Sequence, residues 1–532
     1  MMISRRDLIK LSVTAGAALS LPSVLRAQTA QADGTVRMAI GLAAIFDPIL
    51  TTSGDTYTHA IAIYDTLFGV DSNLVPQPQM VNKWEVSDDK KAYTFELRDG
   101  LQFHDGSPVT AADCVASIRR WGQADSGGKL LMERATQISP KDDKSFVIVL
   151  KEPLGVLIDI LAAPGGLFLA IMREQDAKLP ATEQVTANIG SGPFKFNHDL
   201  ASPGVSFVYD RNEKYVPREE APDGFAGGKV VMVDRVILQN IKDQQTALAA
   251  LQAGEIDFMA SPPYDLLPII ESDPGLGLEV LNRAGNNLFL RMNCLQKPFD
   301  NVKARRAMLH LVDQEAILQA AIGDARYTRP VISLFGITRY TNDENTGWFK
   351  KGGDPEKAKQ LFKESGYSGE KVVILDPTDD AVVDHAAQLL ANQLQKIGVN
   401  AELAPSDWGG VVKRRSDKSS VADGGWSILV SSWSGVALGD PIGTPFFQAN
   451  GNKAWYGWPQ DDKYESLRSQ WPDAGGFDER MSLARQMQSR WWDFVGAVML
   501  GNFVQPIARS KALTGMVGVP KVVVALWNME KA

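Results

Sequence analysis

The chain has 532 residues, of which 44% are hydrophobic and 22% are charged, so it is long enough to form two or three lobes with separate cores. The formal net charge is −8, and the cations are not clustered, which argues against a nucleic-acid partner because phosphate binding needs clustered cations. Two cysteines, Cys114 and Cys294, are too few for a disulfide scaffold or a multi-cysteine metal cluster, although one disulfide between them stays open.

The N-terminus has the pattern of a twin-arginine export signal. Arg5 and Arg6 precede a weakly apolar run that ends at Pro22. The run is too short to cross a bilayer, which needs about 20 residues. Small residues follow, and we predict cleavage after Ala27, so that residues 1–27 form the signal peptide. No lipoprotein cysteine stands at its end. The pattern therefore predicts a periplasmic protein that is not embedded in the membrane.

The first half of the chain predicts alternating strands and helices. A strand at 35–42 and a helix at 57–68 precede a hairpin between 84 and 97. Thr110 and Asp113 have the spacing of a capping box, which predicts a helix to about Trp121, and a strand follows at 146–150. A strand at 231–238 then leads to a helix at 243–253 that Gly254 ends, and a strand at 256–259 follows.

The second half predicts longer helices between strands. We expect one helix at 302–320, a second that Asp354 and Pro355 open, and a third at 381–397. Strands are expected at 372–375, 401–404 and 522–527, with a last long helix at 479–494. The alternation predicts the α/β class, with a mixed sheet in each of two major lobes and an added subdomain from about 78 to 180.

Known catalytic patterns are missing from the sequence. It has no Gly-x-x-x-x-Gly-Lys-Ser/Thr loop, no His-Glu-x-x-His helix and no Gly-x-Ser-x-Gly elbow, and its five histidines stand singly. We therefore predict a binding protein that is not an enzyme and that needs no cofactor or metal. A periplasmic hydrolase with a carboxylate pair such as Asp47 and Asp55 is the alternative.

Six segments in fixed order resemble the peptide, oligopeptide and nickel type of solute-binding proteins of ABC importers, family 5. The resemblance implies a two-lobed periplasmic binding protein fold, type II-like, whose lobes are joined by hinge strands and close around a solute. It implies lobe I at 33–285, lobe II at 286–495 and a return to lobe I at 496–532. The segments are Ile63–Phe68, Tyr93–Gly100 with Phe103–Asp113, Gly190–Phe194, Ala250–Asp257, Pro298–Ala307 and Trp527–Asn528.

The resemblance also implies partners. The protein would bind a small organic solute, a short peptide or peptide-like compound, and deliver it as a monomer to the permease subunits of an importer. A receptor that feeds a membrane sensor instead of a transporter is a further alternative that the sequence leaves open.

The family carries a Trp-x-x-Asp-Tyr-x-x-Pro segment whose aspartate can bind the α-amine of a peptide. Here Trp433 and Pro441 match, but Val436 stands where that aspartate is expected, and Asp440 is the candidate that could replace it. Trp433 is our first choice for a ligand contact because its ring offers an apolar face for stacking. The full set of predicted ligand-binding residues is Phe46, Asp47, Asp55, Tyr57, Asn286, Asn287, Trp408, Trp433, Ser434, Gly435 and Asp440.

Overall fold

The computed structural model describes residues 34–163, 165–521 and 523–532. The export signal predicted at residues 1–27, with its cleavage point after Ala27, lies outside this described part. Helices and strands alternate along the described chain, and its strands form three larger sheets and two small ones, as expected for the α/β class.

The strands are short, and the interior ones are rich in β-branched and aromatic residues, which favour extended backbone. In chain order the strands of the described part are β1 (Thr35–Ala39), β2 (Phe68–Val70), β3 (Pro76–Pro78), β4 (Val81–Val86), β5 (Ala92–Leu97), β6 (Ala135–Pro140), β7 (Ser145–Leu150), β8 (Phe194–Phe196), β9 (Ser206–Arg211), β10 (Arg235–Gln239), β11 (Phe258–Met259), β12 (Leu276–Glu279), β13 (Asn286–Met292), β14 (Thr328–Arg329), β15 (Val372–Pro377), β16 (Ala401–Ser406), β17 (Ile428–Ser434), β18 (Val498–Phe503), β19 (Ile507–Ser510), β20 (Leu513–Thr514) and β21 (Glu530–Lys531).

Many helices begin at an aspartate. The carboxylates of Asp243, Asp354 and Asp380 each accept a hydrogen bond from a backbone N–H of the first turn, a donor that has no partner within the helix. In chain order the α-helices of the described part are α1 (Gly54–Ile63), α2 (Ala111–Trp121), α3 (Ser126–Arg134), α4 (Leu157–Leu161), α5 (Glu174–Ala177), α6 (Gln244–Gln252), α7 (Leu267–Ser272), α8 (Val302–Leu311), α9 (Gln314–Ala321), α10 (Pro355–Glu364), α11 (Ala381–Lys396), α12 (Trp408–Arg414), α13 (Asp462–Arg468) and α14 (Phe477–Phe494).

The first large sheet has seven strands in the order β12-β19-β11-β1-β10-β9-β8. Its central strand β1 runs parallel to both neighbours, β10 and β11, while the outer pairs are antiparallel. Val36 lies opposite Val236 and Met38 lies opposite Leu238, and these side chains are at most 2% exposed. This sheet is the core of the first lobe.

The second large sheet has six strands in the order β14-β18-β13-β17-β15-β16. β13 lies antiparallel to β17 and β18, and β15 is parallel to β16 and β17. Every residue of β15 is buried, because the strand lies between β17 and β16 and α11 and α12 both pack against it. This sheet is the core of the second lobe.

A four-stranded antiparallel sheet, β4-β5-β7-β6, lies within the segment predicted as an added subdomain. Alternate residues of β5 and β7 are buried, so one face of the sheet packs and the other meets solvent. On the buried face the rings of Phe95 and Phe146 stack with their centroids 4.9 Å apart. We propose that residues 78–180 form a subdomain of the first lobe on this basis.

The chain crosses between the two large sheets twice. The first crossing runs from β12 to β13 and the second from β18 to β19. They touch at Gly285, whose φ is +61° and where a Cβ atom would lie only 2.3 Å from the carbonyl oxygen of Phe503, so glycine is required. Because β18 pairs within the second sheet, we propose that the return to lobe I lies between Phe503 and Ile507 rather than at 496.

Several predicted elements are confirmed. The capping box of Thr110 and Asp113 opens α2, and Gly254 has a left-handed φ of +72° at the end of α6. Three predictions are wrong. The helix expected at 57–68 ends at Ile63, and Phe68 begins β2 instead. The single helix expected at 302–320 is two helices, because Val312 has extended backbone and the carboxylate of Asp313 caps α9. The strand expected at 522–527 is absent from described residues 523–527, and the terminal strand is the short β21 instead.

The described part settles two smaller questions. Cys114 is buried, Cys294 is partly buried, and both are free, so the disulfide that the sequence left open is not formed. Across residues 34–163, 165–521 and 523–532, no helix combines the length and the apolar character that a membrane crossing needs.

Candidate functional site

A crevice between the lobes holds a cavity with walls from both of them. The space not occupied by atoms, including its open mouth, is about 790 Å³, and the centres of water-sized molecules can occupy about 90 Å³. Much of the lining is apolar, with Val70, Leu74 and Ile160 from the first lobe and Val436, Ile442 and Trp471 from the second.

Three charged side chains meet across this crevice. The carboxylate of Asp159, on α4 of the first lobe, accepts hydrogen bonds from two arginines of the second lobe. Nη2 of Arg339 lies 2.9 Å from Oδ1 of Asp159, and Nη1 of Arg480 lies 2.8 Å from Oδ2. All three residues line the cavity. The sequence analysis missed them, because they come from three distant segments and share no local motif.

A second carboxylate, that of Asp440, lines the same cavity. Its Oδ1 accepts hydrogen bonds from the backbone N–H groups of Ile442 and Gly443, which hold it at the start of a turn. Burial raises the pKa of Asp440 above its ordinary value, and the negative charges of Asp125 and Asp159 raise it further. The cavity therefore carries groups of both signs on an apolar lining.

The lobes also touch at the rim of the crevice. The N–H of Gly155 donates to the carbonyl of Pro472 over 2.8 Å, and the guanidinium of Arg134 pairs with the carboxylate of Asp473. Together with the Asp159 contacts, these bonds join the first lobe to the second. The structure therefore shows the lobes in a closed arrangement.

Three predicted ligand-binding residues lie in the interior of the first lobe. Asp47 is 1% exposed, and its carboxylate accepts hydrogen bonds from both terminal nitrogens of Arg120 and from the N–H of Val185. The ring of Phe46 packs among aromatic rings, with its centroid 4.6 Å from that of His59, and Tyr57 is buried against Phe168. The carboxylate of Asp47 and the rings of Phe46 and Tyr57 therefore make their contacts within the first lobe.

The carboxylate pair of the hydrolase alternative is not assembled as a free acid and base. Both oxygens of Asp47 are engaged by Arg120 and by backbone donors. Asp55 lies elsewhere, in a second cavity beside the crossings. Burial raises the pKa of Asp55 and lowers that of Lys521, which lines the same cavity, to about 7.

Asn286 and Asn287 begin β13 at the first crossing. Asn286 lines the cavity beside the crossings, whereas Asn287 is fully buried. Oδ1 of Asn287 accepts a hydrogen bond from Nδ2 of Asn502, which also donates to the carbonyl of Ala284. These amides therefore bind the two crossings to each other.

Trp433, Ser434 and Gly435 lie where β17 ends, next to the crossings. Trp433 is half-buried, and its ring centroid is 5.9 Å from that of Trp455. The indole N–H of Trp433 and the hydroxyl of Ser434 are buried without a hydrogen-bond partner, and the N–H of Gly435 donates to the carbonyl of Gly285. Unsatisfied buried donors of this kind are costly to a fold.

Trp408 lies apart from this group. It opens α12 in the second lobe and lines a wide depression, together with Tyr264 of the first lobe and Asp379 of the second. Its backbone N–H donates to the carboxylate of Asp379 over 2.7 Å. The predicted site residues thus divide between the crevice, the crossings, this depression and the interior of the first lobe.

Comparisons with known proteins show the family. Residues 75–455 match the model of the bacterial extracellular solute-binding proteins, family 5. The chain is also 63% identical, over 536 aligned residues and all of both chains, to a probable peptide ABC transporter periplasmic-binding protein of Sinorhizobium fredii. The chain belongs to family 5 of the bacterial extracellular solute-binding proteins. The resemblance found in the sequence is confirmed, and the family is one of binding proteins rather than enzymes.

The chain is also similar to more distant proteins. The dipeptide-binding protein of Escherichia coli K12 is 28% identical to this solute-binding protein, with 91% of this chain and 92% of the other covered. The crystal structure of an ABC transporter substrate binding protein of Listeria monocytogenes superposes with a TM-score of 0.80 at 21% identity, covering 93% of this chain and 99% of that one. The predicted two-lobed fold is confirmed.

Proposed function

We propose that this family 5 protein is the periplasmic receptor of an ABC importer and that it binds a short peptide between its lobes. The observation that carries the proposal is the crevice itself, which sets a carboxylate and two arginines around an apolar lining. A peptide has an ammonium group, a carboxylate and apolar side chains, so it complements all three features. The high identity to a probable peptide receptor supports the same solute class.

Asp440 is our candidate for the group that binds the α-amine. Val436, which stands where the family's aspartate is expected, lines the same cavity as Asp440, so the two positions share one wall. Asp440 can therefore supply the charge that Val436 lacks. A charge-assisted hydrogen bond to an ammonium group contributes about 1.5–3 kcal/mol, enough to select peptides with a free N-terminus.

The remaining crevice and crossing residues would position the solute. Ser434 has a buried hydroxyl without a partner, and the indole N–H of Trp433 is in the same situation, so both can donate to peptide carbonyls. Asp55 and Asn286 line the cavity beside the crossings and would contact a solute that enters it. Closure buries apolar surface, which stabilises the complex by roughly 25 cal/mol per Å² before ordering costs.

The receptor would work by closure and release and would leave the peptide unchanged. The closed form shown here, with contacts at the rim as well as at the crossings, is the form that a permease would recognise. We propose that the protein acts as a monomer and that the twin-arginine route exports it. Replacing Arg5 and Arg6 together by lysine should block export of a fused reporter, whereas unchanged export would contradict that route.

Peptide retention tests the main proposal. The mature protein, unfolded and refolded to remove any bound solute, is incubated with a mixture of di- to pentapeptides, and retained molecules are identified by mass spectrometry. We expect stoichiometric retention of peptides of unchanged mass. Retention should weaken in Asp440→Asn but not in Asp343→Asn, which removes an exposed carboxylate of the same lobe. A protein that retains no peptide, or that cleaves it, would contradict the proposal.

A further inference from the structure

Two aspartates of the second lobe face each other where α11 packs on β15. Asp376 lies near the end of β15, and Asp384 lies in the first turn of α11. Asp376 is 3% exposed, and Asp384 is partly buried. Their carboxyl groups are within hydrogen-bonding distance of each other. Two acidic side chains are therefore in contact at the join between a helix and the core strand beneath it.

The two carboxyl groups lack the partners that buried charges need. Oδ1 of Asp376 is buried and has no hydrogen-bond partner, and Oδ1 of Asp384 accepts one hydrogen bond from Nε2 of Gln388. No cation of the described residues offsets the charge of Asp376. A buried carboxylate without donors or an opposite charge is costly, and a second carboxylate beside it adds repulsion.

The other charged groups around the pair do not change this balance. On β16 the carboxylate of Glu402 pairs with Lys371, and on α12 the guanidinium of Arg414 donates to backbone carbonyls. β17, the other neighbour of β15, has no titratable side chain. The remaining charged or titratable side chains of the adjoining helices and turns are Glu315, Asp379, Asp380, His385, Lys396, Asp407, Lys413 and Arg415. Among all these groups, Asp384 alone acts on the carboxyl of Asp376.

These surroundings favour one proton on the pair. Burial, the hydrogen bond with Asp384 and the negative charge of Asp384 together raise the pKa of Asp376 to about 6. Below that pH the protonated carboxyl donates its O–H to the neighbouring carboxylate, and such a charge-assisted hydrogen bond is short and strong. Above that pH two carboxylates face each other and repel.

We propose that Asp376 and Asp384 share one proton, which holds α11 on β15 in mild acid and is lost in mild base. The pair makes the second lobe responsive to pH. The turn between the two aspartates carries Asp379, which lines the wide depression beside Trp408, so loss of the proton also loosens one wall of that depression. The proposal concerns the second lobe alone and does not depend on which solute the crevice binds.

The direction of the pH dependence follows from the raised pKa. Asp376 binds its proton more tightly in the folded protein than at its ordinary pKa of 3.8, so the stabilisation is complete at low pH and is lost as the pH rises through about 6. Burial lowers the pKa of His59 and of His104 to about 4, and these groups change the stability in the opposite direction. A comparison with variants therefore isolates the aspartate pair.

Asp384→Asn tests the shared proton. The amide of asparagine donates an N–H to ionised Asp376, so the hydrogen bond persists without the proton. Chemical denaturation of the solute-free mature protein gives the unfolding equilibrium constants of the wild type and the variant. The ratio of the wild-type constant to that of the variant should rise about tenfold from pH 5 to pH 8, as a pKa lowered from about 6 requires.

Asp380→Asn is the matched control. It removes a negative charge from the same end of α11, and asparagine caps a helix as well as aspartate does. Its ratio to the wild type should not change with pH. Hydrogen exchange of the α11 amides, corrected for the intrinsic effect of pH, gives a local measurement. At pH 8 these amides should exchange faster in the wild type than in Asp384→Asn, while those of α8 should not differ.

A wild-type-to-Asp384→Asn ratio that stays constant between pH 5 and pH 8 would overturn the shared proton. The same rise in Asp380→Asn would also overturn it, because any lost negative charge would then produce the effect. If Asp384→Asn fails to fold, Asp376→Asn decides, since either asparagine replaces the proton by an amide N–H.

Discussion

Two clusters of this protein contain the same residue types, arginine and aspartate, and differ in structure. Asp47 and Arg120 lie inside the first lobe, where both side chains are at most 2% exposed and each charge has one opposite partner. Asp159 lies in the crevice with its side chain 30% exposed and is shared by Arg339 and Arg480. The first cluster is enclosed in the lobe, while the second lines the cavity between the lobes together with Asp440.

The Asp47 cluster stabilises the fold, whereas the Asp159 cluster is placed where a solute can contact it. An enclosed neutral pair has no donor left for a ligand, and Arg120 also donates to the carbonyls of Leu179 and Glu183. Charged groups that line a cavity remain accessible to a solute. Charge alone did not reveal this in the sequence, where Asp47 was a predicted ligand-binding residue and Asp159 was not.

The largest effect is expected from breaking the enclosed pair. Asp47→Ala leaves the charge of Arg120 buried without its partner, which should lower the free energy of unfolding by about 3–5 kcal/mol. Chemical denaturation with and without the substitution measures this. Asp99→Ala is the control, because its carboxylate is 88% exposed and pairs only with Lys144 at the surface, and no change is expected. Equal stability of the two variants would remove the distinction between the clusters.

Local patterns in the sequence were enough to predict most elements of the fold. The capping box at Thr110 and the Asp354 cap depend on residues three apart, so they are visible without tertiary structure. The break between α8 and α9 was not visible, because apolar residues continue through Val312 and only the cap by Asp313 interrupts the helix. Residues 523–527 are apolar enough for a strand, yet they pack without pairing to a sheet.

The candidate site was predictable only where it has a local motif. Asp440 was found because it follows Trp433 in a segment that resembles the family pattern. Asp159 lies 180 residues before Arg339 and 321 residues before Arg480, so folding alone brings them together. Val436 stands where the family's aspartate is expected. The consequence of this difference depends on the cavity that Val436 and Asp440 both line.

The next largest effect should come from the amine partner. Asp440→Asn keeps an oxygen that can accept from the N–H groups of Ile442 and Gly443, so the turn is preserved while the charge is lost. Affinity for a retained peptide should fall by about tenfold to a hundredfold, as expected for about 1.5–3 kcal/mol. Isothermal titration measures it. An unchanged dissociation constant would exclude Asp440 as the amine partner.

Lowering the pH should weaken peptide binding by protonating Asp440. The loss of affinity should be no larger than that caused by Asp440→Asn. The pKa of Asp440 is raised by burial and by Asp125 and Asp159, so the carboxylate is protonated as the pH falls through this raised value. The peptide's amine has a pKa of about 7.7–8.0 and stays charged, and its carboxylate, with a pKa of about 3.3–3.7, is protonated only at lower pH. Affinity should therefore fall before either peptide terminus changes.

Titrations between neutral and mildly acidic pH test this dependence. Asp440→Asn should bind weakly with an affinity that changes little over the same range. A wild-type affinity that stays constant down to the pKa of the peptide carboxylate would show that Asp440 is not in contact with the amine. The same slope in the wild type and in Asp440→Asn would assign the dependence to another group.

The smallest effect should come from the rim of the crevice. Asp473 is 60% exposed and pairs with Arg134 of the first lobe, so the pair contributes about 0.2–1 kcal/mol to the closed form. Asp473→Ala should then weaken solute binding by at most about fivefold, because only closure and no contact with the solute is affected. High salt should reduce the difference between the variant and the wild type, since exposed pairs are screened. A loss of affinity as large as that of Asp440→Asn would place the solute at the rim. The comparison of a structural cluster with a binding cluster would then have to include this surface pair as a third cluster.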